Sequence, residues 1–452
     1  MKHYRTGMLV FALIFSLVLW IGLSGESSPV FLQHQSEETL AGDEQPKMSA
    51  ATAVNTNPSA AQQSSDGGGG KAEGLADPPA AVPAATNQPT ESSKPAGPIK
   101  PARLTLTTVG DIMVHQEQID AAYNPKTKSY DFTSSFAQVI PLLTDSDLTV
   151  GNLETTLAGQ ASRYTGYPQF NSPESLAQTL TKAGFDVLTT ANNHSLDRRE
   201  AGVLSTLNHL KQAGILSTGT FSTPDERNKP LFVEKNGIKI AFLAYTYGTN
   251  GIPIPKGKPY LVNLIDPALI KKDITAARSQ GADIVSVSLH FGNEYQRQPS
   301  PEQRKMARFC LEAGADLILG HHPHVVQPYE WQTIPQADGT TRRGLIMYSL
   351  GNFISGQRGD YKDVGAILQV TITKPSGDKK AVLQDAQVVP TYVHLSRPGG
   401  KRSYVIYPLP QTLAAQTQKK SLPADVIRKM DQLYRAISVH LRQPATIPKQ
   451  AL

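Results

Sequence analysis

The tightest constraint on this chain is a unit that recurs three times: a helix closed by glycine, a short apolar run, then histidine. Ser172-Pro173 opens a helix that runs to Ala183-Gly184; Phe185 to Thr190 is an apolar strand, and Asn192-Asn193-His194 follows it. Asp266-Pro267 opens a second helix ending near Gln280-Gly281, then come the strand Asp283 to Leu289 and His290-Phe291-Gly292. Ser300-Pro301, with Gln303 completing a capping box, opens a third helix that ends at Ala313-Gly314. Asp316 to Leu319 is its strand, and Gly320-His321-His322-Pro323-His324-Val325 follows. Serine or aspartate before proline marks a helix start, because the side chain accepts from a free first-turn N–H and proline has none to leave unpaired. Helix alternating with strand requires a parallel sheet with helices on its faces. Such a sheet delivers the loops that follow its strands to one crevice, the usual ligand site.

Other segments feed the same crevice. Leu104 to Val109 is a strand with Gly110-Asp111 at its end, and Asp147 to Val150 is a strand before Gly151-Asn152-Leu153-Glu154. Ile238 to Tyr245 precedes a loop with Asn250-Gly251, and Gly344 to Ser349 precedes Leu350-Gly351-Asn352-Phe353. Residues 365–373, 381–389 and 404–407 alternate apolar and polar with turn residues between them, the pattern of antiparallel strands. Asp425 to Leu441 carries Ile427, Met430, Leu433, Ile437 and Leu441 at helical spacing, so it packs on the domain or on a partner. The folded domain is therefore placed at 102–410 and a tail at 411–452.

The first hundred residues have a different composition. Lys2 and Arg5 precede Gly7 to Leu23, which is uncharged and almost wholly apolar. The run is at the short end for a spanning helix, and Leu23-Ser24-Gly25 is a poor cleavage site. This favours an uncleaved signal anchor over residues 1–24, a single-pass protein of the cell membrane with its domain outside the cytoplasm. The alternative is secretion after signal cleavage. Residues 25–101 are rich in Ala, Ser, Pro and Gly and include Gly67 to Gly70, a composition unable to bury enough apolar surface to offset ordering, hence a disordered linker. The single cysteine, Cys310, excludes an intrachain disulfide. The net charge of +6 is uneven: residues 26–100 hold nine acids against four lysines, while the tail is basic and could meet anionic lipid or polymer. No basic stripe with interleaved aromatics points to nucleic acid.

The crevice residues form a metal-binding set. Asp111 can ligate one ion and Glu154 can ligate or bridge. Asn193 offers an amide oxygen, His194 exchanges a proton with a leaving oxygen, and His290, His322 and His324 add imidazole nitrogens. Neutral imidazole and carboxylate suit Mn, Zn, Mg or Fe, as one or two divalent ions. Asn193 and His194 are the catalytic candidates. Asn152, Asn250, Glu294 and Asn352, in the same loops, are candidates to contact substrate.

Six stretches in this order carry a family resemblance: Gly110-Asp111-Ile112-Met113, Asn152-Leu153-Glu154, Asn192-Asn193-His194, His290-Phe291-Gly292 with Glu294-Tyr295, Gly320 to Val325, and Ser349-Leu350-Gly351-Asn352-Phe353. Over roughly Arg103 to Gly365 the chain resembles the CapA family of capsule-synthesis proteins. The resemblance implies an α/β fold, a metallophosphoesterase-like sandwich of two mixed β-sheets flanked by α-helices. It also implies a part in making or exporting poly-γ-glutamate at the cell surface, with that polymer and the membrane subunits of a synthesis complex as partners. A metal-dependent phosphoesterase, or a γ-glutamyl hydrolase or transferase acting on envelope substrates, is the alternative. Carried over by motif, Asp111, Glu154, Asn193, His290, His322 and His324 match metallophosphoesterase ligands and His194 their catalytic histidine, while His321 falls outside the ligand set. Two positions depart. Met113 stands where the pattern has a ligand histidine, for which His115 is a nearby substitute, and the bridging residue is Glu rather than Asp.

Overall fold

The computed structural model describes residues 101–377, 380–416 and 422–443. These lie within one compact unit, Glu91–Leu452; the other unit, Met1–Thr90, lies outside the described residues, as do the expected anchor and nearly all of the expected linker. Among the described residues no helix is long and apolar enough to cross a membrane.

The strands are β1 (Ala102–Ile112), a small ribbon of β2 (Tyr123–Asn124) and β3 (Ser129–Tyr130), β4 (Leu148–Leu153), β5 (Val187–Thr189), β6 (Leu216–Thr218), β7 (Leu231–Lys235), β8 (Ile238–Thr246), β9 (Ile284–His290), β10 (Leu317–His321), β11 (Tyr329–Pro335), β12 (Thr341–Met347), β13 (Asn352–Ile354), β14 (Val364–Lys374), β15 (Val382–Ser396) and β16 (Ser403–Pro408). One sheet runs β16-β15-β14-β1-β4-β5-β6, with β13 also paired to β1. The other runs β11-β12-β10-β9-β8-β7. Both are mixed. In the first, β1, β4, β5 and β6 are parallel while β14, β15 and β16 are antiparallel. In the second, β8, β9, β10 and β12 are parallel, with β7 and β11 antiparallel at the edges.

The two sheets pack face to face. Leu104, Leu106 and Val150 of the first share a buried cluster with Ile240, Phe242, Ile284 and Leu319 of the second. The outer face of the first sheet is covered by the helices Ile140–Thr144, Ser175–Lys182 and Arg199–Gln212. The helices Pro267–Ser279 and Pro301–Glu312 cover the second. Sheet faces buried on both sides explain the continuous apolar runs in the parallel strands. The expected α/β sandwich of mixed sheets is what forms.

Local expectations held where the signal was local. Asp266 caps its helix by accepting from Ala268 N and Leu269 N, and Ser300 with Gln303 forms a reciprocal capping box. Two expectations need correction. The helix expected from Ser172 begins at Ser175, because the Ser172 hydroxyl is 2.9 Å from that of Thr155 and its N–H bonds Thr156 O. A tertiary strap here outcompetes the cap. Second, Asp111 and His290 sit inside their strands, not in the loops after them. Of the two placements expected for the C-terminal helix, Ala424–Arg442 takes the first: it packs on the domain, burying Met430, Leu433, Ile437 and Leu441 in the same cluster as Leu104. Its His440 Nε2 lies 3.1 Å from Val326 O, just past the histidine cluster.

Two glycines set how closely the site-bearing segments approach. A Cβ on Gly110 would lie 1.9 Å from Gly351 O, and one on Gly320 would lie 1.8 Å from Tyr348 O. The adjacent bonds Asp111 N to Gly351 O (2.9 Å) and Leu350 N to Gly320 O (3.1 Å) depend on that approach. Gly320→Ala is therefore expected to cost about 3 kcal/mol or more through overpacking against rigid backbone. A thermal melt of the variant checks it; an unchanged melting temperature would refute the close approach.

Candidate metal centre

The carboxyl ends of the parallel strands of both sheets meet at one edge of the sandwich. From the first sheet come Asp111 at the end of β1, Glu154 after β4 and Asn192-Asn193-His194 after β5. From the second come His290 ending β9, His321 ending β10, and the His322–His324 loop. The register pairs His321 with His290, and Asp111 with both Asn152 and Asn352.

Asp111 is fully buried and organises the centre from behind. Its Oδ1 accepts from Asn152 Nδ2 (2.9 Å) and His321 Nδ1 (3.1 Å); its Oδ2 accepts from His322 N (3.3 Å) and His324 Nδ1 (3.2 Å). Burial alone would raise its pKa, but the hydrogen bonds from His321 and His324 outweigh it and hold the carboxyl well below the usual carboxylate range. Burial also opposes charge on His324, yet Glu154 and Asp111 lift it to about 9. With Nδ1 committed to Asp111, the other nitrogen of His324 faces Glu154 Oε1 at 3.8 Å. A carboxylate on the far nitrogen of an imidazole is how proteins orient metal-ligating histidines.

Glu154 has the opposite environment. It is fully buried, and neither carboxylate oxygen has a hydrogen-bond partner among the described residues. Burial, reinforced by Asp111 against the pull of His324, pushes it up to about 8. Its nearest ring nitrogen is His290 Nε2 at 3.4 Å, and that nitrogen is 2.9 Å from Asn193 Oδ1. His322 Nδ1 is likewise buried and without a partner. Burial holds His290 and His322 far below the ordinary imidazole value, so both stay neutral at pH 7, the form that binds metal. Three groupings bring ligand atoms within 4.8 Å of one another: Glu154, His290 and His322; Asp111, Glu154 and His324; Glu294, His322 and His324. Orphaned buried carboxylate and imidazole atoms are costly unless something pairs with them. A divalent cation fits that donor set. The His322–His324 loop is also strained: His322 has φ +95° and His324 φ +57°, a conformation that costs about 1–3 kcal/mol each and collects at functional sites.

His194 lies beside this cluster. Its Nδ1 is 2.7 Å from Asp197 Oδ2, and Asp197 Oδ2 also accepts from Phe170 N at 2.6 Å. Asn192 holds the turn, donating to Leu153 O and accepting from His194 N. Asn193 Nδ2 donates to Asn250 Oδ1 at 3.2 Å, which puts exposed Asn250 at the mouth. Glu294 is exposed there too. Asn152 and Asn352, expected to meet substrate, are wholly buried. The Asn152 amide is spent on Asp111 and on Thr189 Oγ1, and Asn352 Nδ2 ties down Gln357 and Lys362 O. Both position the site and cannot line its mouth. His115 does not replace the missing histidine: its Nδ1 accepts from Gly356 N at 3.1 Å, and burial lowers it to about 4.

Sequence reasoning missed several contributors. Asp197 was signalled only by its i+3 spacing from His194. Tyr247, half-exposed, lays its ring 4.7 Å from that of His322 and nearly parallel to that of His290. His321, left outside the ligand set, proves to be an Asp111 partner.

The family profile described as Bacterial capsule synthesis protein PGA_cap matches residues 105–357. The chain belongs to this family. It is 32% identical over 280 residues to the capsule biosynthesis protein CapA of Bacillus anthracis, covering 60% of this chain and 64% of that one. It is 31% identical over 277 residues to the PGA biosynthesis protein CapA of Bacillus subtilis, covering 60% and 68%. The chain thus spans about two-thirds of the length of these CapA relatives. Among solved structures it overlays on the calcineurin-like phosphoesterase YfkN of Bacillus subtilis with a TM-score of 0.36 and 14% identity, over 64% of this chain and 90% of that one.

Proposed function

We propose that this capsule-synthesis domain is a metal-dependent hydrolase or transferase that processes poly-γ-glutamate during capsule assembly. The carrying observation is Glu154, a fully buried carboxylate with both oxygens unpartnered among the described residues, beside neutral His290 and His322. The CapA names of its relatives support the polymer as substrate. Glu154, Asn193 and His290 would hold the ion, with Asp111, His322 and His324 adjoining. When bound, such an ion supplies Lewis-acid polarisation of the bond being broken. The rest falls to the protein. Asp197 orients His194 through Nδ1, so the other ring nitrogen can hold a proton for the leaving group. Tyr247 and Asn250 border the entrance and limit water. In this reading the N-terminal apolar segment anchors the chain in the cell membrane, with the domain on the outer face and the membrane subunits of a synthesis complex beside it.

The test is metal analysis of the full-length chain, followed by assays on poly-γ-glutamate and on a generic phosphodiester. Metal-dependent shortening of the polymer is expected, with kcat about 100-fold lower in His194→Ala while polymer binding persists. Cleavage of the phosphodiester alone would replace the substrate with an envelope phosphate. Neither activity, with polymer binding intact, would reduce the domain to an accessory that holds the polymer.

A further inference from the structure

The metallophosphoesterase pattern leaves this chain one ligand short. Met113 stands in a histidine's place and its side chain is buried, with its N–H bonded to Ile354 O. His115 accepts at Nδ1 from Gly356 N and packs its ring edge-on against Phe170. Neither supplies a donor. A carboxylate outside the pattern does come within reach. Glu294, in the loop after β9, brings a carboxylate oxygen within 4.8 Å of ligand nitrogens of both His322 and His324.

The loop that carries Glu294 is fastened to the histidine loop rather than merely near it. Phe291 N donates to His321 O at 3.1 Å, and Tyr295 N donates to Pro323 O at 2.7 Å. Tyr295 takes φ +65° to make that bond, and its hydroxyl accepts from Gln357 Nε2 at 3.2 Å. So Glu294 is held between two backbone bonds that tie its segment to His321 and Pro323. On the other side, His324 has committed Nδ1 to Asp111, so its second nitrogen is the one a cation can claim, displacing the proton there. His322 Nδ1 is buried and unpartnered. Two imidazoles with donors to spare, both in strained left-handed conformations, face a carboxylate that a stapled loop presents.

We infer that Glu294 is a metal ligand, forming with His322 and His324 a second divalent-cation subsite at the open side of the centre. This rests on the metal centre proposed above and adds a ligand to it. Two imidazoles and a carboxylate suit Mn²⁺ or Zn²⁺. Because Glu294 is exposed while Glu154 and His290 are buried, the second subsite is the one that solvent and substrate meet. It is also the one that should exchange its ion more readily.

The experiment is titration of the metal-stripped full-length chain with Mn²⁺, read by isothermal calorimetry and by the electron-paramagnetic signal of bound manganese. It is run on the wild type, Glu294→Gln and His290→Ala. The wild type should bind two ions, one tight and one weaker. Glu294→Gln should weaken the second by at least about tenfold, the range seen when metal-site partners are lost, and leave the first unchanged. His290→Ala should do the reverse. Glu294→Gln should melt as the wild type does without metal, since the side chain is exposed. If the wild type binds manganese and Glu294→Gln binds it identically, or if the wild type binds a single ion, the Glu294 assignment is wrong while the centre stands. If the wild type binds none, the centre itself falls.

Discussion

Glu154→Ala abolishes tight metal binding and, with it, the metal-dependent rise in stability. At a hundredfold excess of ion over its Kd, binding to the native state alone stabilises a protein by about 2.7 kcal/mol. The wild type should therefore melt several degrees higher with Mn²⁺ or Zn²⁺ than after chelation, and Glu154→Ala should show no such shift. The reason is the inventory of the pocket. Among the described residues both Glu154 oxygens lack hydrogen-bond partners, and the ring nitrogens of His290 and His324 stand 3.4 and 3.8 Å from Oε1. A buried carboxylate so placed has no hydrogen bond to offset its burial until a cation joins it. Paired melting curves decide the matter; an equal metal-induced shift in the variant would remove Glu154 from the ligand set.

Asp111→Ala should be the most damaging substitution to the fold around the site. It would strip the acceptor from four donors: Asn152 Nδ2, His321 Nδ1, His322 N and His324 Nδ1. Removing one partner from a buried charged network costs about 3–5 kcal/mol. The carboxyl is held well below its usual range, so its contribution is present above the unfolded-state value and is lost only as the pH falls through the depressed folded value. Arg308→Ala is the natural control. It removes a largely exposed pair with Glu312 and should change stability by no more than about 0.5 kcal/mol. Denaturant melts of both variants test the contrast, and comparable losses would mean that Asp111 is not the centre's organiser.

Much of the architecture was legible in local patterns. Aspartate or serine before proline marked two helix starts because capping is settled within one turn. Apolar runs ending in histidine marked β5, β9 and β10 because a strand buried on both faces needs apolar residues throughout. The helix Arg199–Gln212 gave no such signal: its buried face is Gly202, Val203, Thr206 and Leu210, of which only Val203 and Leu210 are apolar side chains of any size. Ser172 misled for the opposite reason, carrying a local cap signature that a distant threonine redirected.

The types of residue needed for a metal centre, and their order along the chain, were set by the sequence alone. Parallel strands of one sheet all end on the same edge, so the residues at and just beyond those ends gather there. Which role each residue takes was decided only by the tertiary structure. Asp111 and Glu154 are both wholly buried acids, yet among the described residues the first accepts four hydrogen bonds and the second none. Asn152 and Asn352 turned inward, and Glu294 and Tyr247 arrived from loops of the second sheet. Burial and hydrogen-bond partners come from residues tens to hundreds of positions away, and these determine whether a carboxylate supports a site or waits for an ion.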